Sequence, residues 1–191
     1  MDPVVAFVGL YRIVGSLFVL RWPFWGAILA VVCDLCDLLL FDLFATYGGW
    51  AWSIDYQSFD KWADQVYLAA FLVVALRDFA PLPRRIAAAL YLFRLVGFVA
   101  FETHVVPREA LVLFPNVFEL WFIAVAFTMR YRPSFAWSAG TSGAVLVVLA
   151  VLKVAQEWAL HDARLFDTTT FLGALESIWR ALRAASGFGA G

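Results

Sequence analysis

Ionisable side chains recur at helical spacing inside sequence that is otherwise apolar enough for lipid. Asp34 and Asp37 stand three residues apart, Asp60 and Asp64 four, Asn116 and Glu119 three, and Lys153, Glu157 and His161 four and four. On a helix each set shares one face. Charged groups at membrane depth are costly, and where they gather they line a pocket or a path.

The residue types narrow the chemistry. Asp34, Asp37, Asp60, Asp64, Glu102 and Glu119 are the candidate catalytic carboxylates, acting on a bound metal or as paired acid and base. Arg94, Arg108, Asn116 and Lys153 are candidate ligand-binding groups, the two arginines suiting an anionic phosphate. His104, Glu157 and His161 are candidate metal ligands. Carboxylate oxygens suit Mg²⁺, Ca²⁺ or Mn²⁺, and the two imidazoles extend the choice to Zn²⁺.

Two further spacings carry less. Cys33-Asp34-Leu35-Cys36 is a CxxC, but these are the two cysteines of the chain, and a membrane thiol relay needs a second pair. Packed, inert thiols are the expectation. Asp34-x-x-Asp37 invites comparison with the CDP-alcohol phosphotransferases, but Leu38 stands where that family has a glycine.

The composition supplies the setting. Of 191 residues, 64% are hydrophobic, 18% aromatic and 15% charged, against about 45–50% apolar in soluble domains. The net charge of -1, with dispersed Lys and Arg, excludes a basic nucleic-acid-binding face. The expected fold is an all-α polytopic membrane protein: a bundle of about six transmembrane helices over residues 1–161, then a tail over residues 162–191.

A membrane helix takes about 20 apolar residues. Segments near Val4 to Leu20, Phe24 to Phe44, Asp60 to Phe79, Arg84 to Phe101, Glu109 to Met129 and Ala139 to Leu160 come to that measure, the first suiting either a span or a helix in the interface. Pro115 falls inside the fifth and should free a backbone carbonyl there. In the tail, Phe171, Leu172, Leu175, Ile178, Trp179 and Leu182 alternate with Glu176, Arg180 and Arg183 as an amphipathic interfacial helix would. The N-terminus lacks the basic start of a signal peptide and should stay on the chain.

Threading the segments up and down brings the carboxylates of segments two, three, four and five and the Lys153 to His161 stretch to one leaflet. Arg21, Arg77, Arg84, Arg85, Arg130 and Arg132 fall at the opposite side, which the positive-inside rule makes cytoplasmic. The expected object is a polar, net-acidic cavity open to the extracytoplasmic face, in the cytoplasmic membrane of a prokaryote. Its function is expected to be a metal-dependent enzyme acting on a lipid or lipid-linked headgroup. A cation- or proton-coupled transporter or channel, and a non-catalytic subunit within a homo- or hetero-oligomer, are the alternatives.

Overall fold

The computed structural model describes residues 3–48, 56–105 and 113–161. Among them the chain is wholly helical: α1 (Pro3–Leu17), a 3₁₀ turn (Phe18–Leu20), α2 (Pro23–Gly48), α3 (Tyr56–Asp78), α4 (Pro81–Glu102), α5 (Val117–Tyr131) and α6 (Ala139–His161). Prolines open α1, α2 and α4, as their missing N–H and fixed φ favour. The tail from residue 162 and its expected amphipathic helix lie outside the described residues.

Among the described residues two stretches are long and apolar enough to cross a membrane, Pro3–Leu20 and Ala139–Gln156. As helices, though not as membrane spans, the six segments agree with the expectation except the fifth, which begins at Val117, so that Pro115 and Asn116 precede it. The proline therefore interrupts no helical ladder. It sits just upstream of the first turn, where proline is tolerated.

At one end of the bundle the core is aromatic. Phe71, Phe79, Phe118, Trp121 and Phe122 are fully buried, with Phe71 stacked on Phe122 at 4.3 Å between centroids. Trp121 Nε1 donates to the Pro83 carbonyl at 3.1 Å, tying α5 to the start of α4. At 1.5 Å per residue, Phe71 to Phe79 spans roughly 12 Å of solid apolar packing.

Gly26 marks the tightest approach. A Cβ there would collide with the backbone of Val19 and Phe18, which cannot give way as a side-chain tip can. Gly26→Ala is therefore expected to cost at least the typical overpacking penalty of about 1–3 kcal/mol. Thermal unfolding in detergent reads this directly, and an unchanged midpoint would contradict the approach of the 3₁₀ turn to α2.

Candidate functional site

The site is built on a residue of α1. Val4, Val8, Arg12 and Ser16 follow one another at four-residue spacing, and all four are buried. Arg12 is only 3% exposed. Its guanidinium meets four carboxylates from two other helices. Nη1 donates to Asp37 Oδ2 at 2.8 Å and to Asp60 Oδ1 at 3.1 Å, and Nη2 to Asp64 Oδ1 at 2.9 Å and to Asp34 Oδ1. Ser16 Oγ caps the arrangement by donating to the Arg12 carbonyl at 2.6 Å.

Helical periodicity explains why the four aspartates arrive together. On α2, Ala27, Ala30, Cys33, Asp37 and Phe41 form the buried stripe, and Asp34 borders it. On α3, Asp64, Tyr67, Leu68, Phe71, Val74 and Ala75 form the corresponding stripe, with Asp60 one turn above Asp64. Cys33 is buried and Cys36 half-buried, both as free thiols. Cys33 packs so closely on α1 that a Cβ on Gly15 would lie 2.6 Å from its Sγ.

Lys61 supplies a second cation, with Nζ 2.8 Å from Asp60 Oδ2 and 4.0 Å from Asp64 Oδ2. In direct ion-pair contact, then, four carboxylates face two cationic groups. Counted formally, with all six groups charged, the carboxylates exceed these cations by two. Asp37 and Asp64 are sunk in the bundle, whereas the side chains of Asp34 and Asp60 keep 25% and 22% of their exposure. Single oxygens of Asp34, Asp37 and Asp60 all lie within 4.8 Å of one another, close enough for one cation to bridge them.

A second polar group lies deeper on the same face of α3. Tyr67 Oη donates to Glu119 Oε2 at 2.7 Å, and Asn116 Nδ2 donates to the same oxygen at 3.2 Å. Lys153 Nζ, reaching in from α6, stands 3.8 Å from Glu119 Oε1. Asp60, Asp64 and Tyr67 thus carry a polar seam about two turns down α3, and Phe71 ends it.

The remaining expected site residues disperse. Arg94 is buried, but its Nη1 donates to the Phe114 carbonyl at 2.9 Å. Glu102 accepts from Trp62 Nε1 at 3.2 Å near the surface. His104 is exposed with φ 56°. Its N–H reaches the Phe101 carbonyl at 2.9 Å while that of Val105 reaches Ala100 at 3.0 Å, the paired bonds of a Schellman stop. Among the described residues the grouping with metal-ligand spacing is all carboxylate and includes no histidine. Arg108 lies outside the described residues, as do the side chains of Glu157 and His161 on α6.

Sequence reasoning missed Arg12, Lys61 and Tyr67 as members of the site. For Arg12 a signal existed in its register with Val4, Val8 and Ser16. The expected open cavity is instead a cluster closed upon an arginine, with two of its aspartates reaching the surface. No family model, characterised protein or solved structure matches the chain.

Proposed function

We propose that this chain is an integral membrane protein of about six spans whose aspartate cage binds a divalent cation near one face of the bilayer. The bound metal serves chemistry on a lipid or lipid-linked headgroup. The observation that carries this reading is the excess of two negative charges, with Asp34, Asp37 and Asp60 at bridging distance. In a low-dielectric interior such an excess must be met by a cation or by protons. Carboxylates have lone pairs to spare beyond the donors of one guanidinium and one ammonium.

The membrane setting is supported by the outward-facing apolar side chains. Leu10, Leu35, Leu92, Val96, Val147 and Val151 are each about three-fifths exposed, on four different helices. Water-soluble monomers rarely display such surface all round. A pocket is favoured over a conduction path by the aromatic packing of Phe71, Phe118 and Phe122 directly below the seam.

Elemental analysis of the detergent-purified protein, with lipid extracted from the same sample for mass spectrometry, tests the reading. About one divalent metal per chain is expected. A metal-free preparation that takes up none of Mg²⁺, Mn²⁺ or Ca²⁺ would overturn it and leave the excess charge to protons.

A further inference from the structure

At the opposite end of the bundle from the aspartates, two cavities lie side by side. The first, about 500 Å³, lies between α2, α5 and α6 and is lined by apolar side chains that include Phe24, Ile123, Phe127, Val145 and Leu149. The second, about 440 Å³, is bordered by Arg21, Trp22, Trp25 and Arg130. Phe24 borders both, so the apolar groove lies next to a hollow rimmed by two guanidinium groups.

Those arginines differ from their neighbour Arg77, which forks onto Asp78 through Nε at 2.7 Å and Nη2 at 2.8 Å. Among the described residues neither Arg21 nor Arg130 has a carboxylate within 4.0 Å, and both are exposed. Trp22 and Trp25 beside them are 54% and 56% exposed, as side chains at headgroup level are. An apolar slot ending in unpaired guanidinium groups has the charge and polarity pattern of a lipid: acyl chain, then phosphate.

We infer that this groove holds an anionic phospholipid, its phosphate between Arg21 and Arg130 and one acyl chain along Phe24, Phe127 and Leu149. Arginine forks suit phosphate oxygens. The basic end of the bundle is also the end that the positive-inside rule turns to the cytoplasmic leaflet, where anionic lipid is concentrated. The inference rests on the membrane reading but not on the aspartate cage, and either can fail without the other.

Native mass spectrometry of the detergent-purified full chain tests it, with phosphatidylglycerol, phosphatidylcholine, a short-chain phosphatidylglycerol and inorganic phosphate as probes. Retention of one long-chain phosphatidylglycerol is expected, with about tenfold preference over phosphatidylcholine. Arg21→Gln with Arg130→Gln should abolish that preference, whereas Arg85→Gln, an exposed arginine that does not border the groove, should preserve it. Filling the groove with Ala124→Trp should release the long-chain lipid in favour of the short-chain one. Equal retention of both headgroups by the unmodified protein would overturn the inference, as would a preference that survives loss of both arginines. Binding of inorganic phosphate as tightly as of the long-chain lipid would also overturn it, by making the groove irrelevant.

Discussion

Replacing Arg12 with alanine is expected to destabilise the bundle by about 3–5 kcal/mol, the usual cost of removing one partner from a buried ionic cluster. The size follows from what is left behind. Asp34, Asp37, Asp60 and Asp64 would lose the guanidinium that all four contact, while Lys61 would stay beside Asp60 and Asp64. Arg12→Lys should recover part of the loss, because an ammonium restores the charge without the fork that reaches four carboxylates. Pairing Arg12→Leu with Asp37→Asn and Asp64→Asn should recover more, since charge is then removed from both sides. Thermal unfolding of the four proteins in one detergent measures this ordering. If Arg12→Ala unfolds at the same temperature as the unmodified protein, the arginine is not the hub of the cage.

Neutralising the aspartates should act in the opposite sense. Asp37→Asn keeps the side-chain shape and an oxygen that can accept from Arg12, while removing one of two excess charges. Without divalent metal, stability is expected to stay level or rise. Metal affinity, in contrast, should fall by at least the roughly 10–100-fold that loss of an outer-shell partner costs, and further with Asp34→Asn added. Titration of Mn²⁺ followed by its paramagnetic resonance separates the two effects. A variant that lost stability but kept Mn²⁺ affinity would make Asp37 a structural residue alone.

Much of this arrangement was legible in the sequence, and the exceptions have physical causes. Helix order followed from apolar runs punctuated by Pro23, Pro81 and the glycines near 48. The convergence of Asp34 and Asp37 with Asp60 and Asp64 followed from helical spacing and alternating direction, and Glu119 met Lys153 for the same reason. The start of α5 was misplaced because the apolar run through Leu113 and Phe114 resumes at Val117 just after Pro115 and Asn116, and hydropathy cannot tell a helix from its approach. Arg12 was overlooked because a single arginine in a short N-terminal apolar segment can equally reach the interface. Its partners stand 22 to 52 positions away, so only packing reveals them.

The same packing explains why a cavity was expected and a cage was found. Counting carboxylates against Arg94, Arg108 and Lys153 left a large acidic excess for cations or protons to meet. Arg12 and Lys61 instead fill the centre, while Arg94 turns to the Phe114 carbonyl. The formal excess shrinks to two charges, which a cation or protons can meet.

Proteoliposomes exposed to radiolabelled manganese test the central claim most directly, because they read binding and passage at once. The expected result is saturable retention near one ion per accessible chain, lost in the Asp34→Asn, Asp37→Asn protein, with no accumulation inside the vesicles over time. Retention no greater than in that variant would contradict a cation site, and time-dependent filling of the lumen would contradict a site closed by the aromatic core.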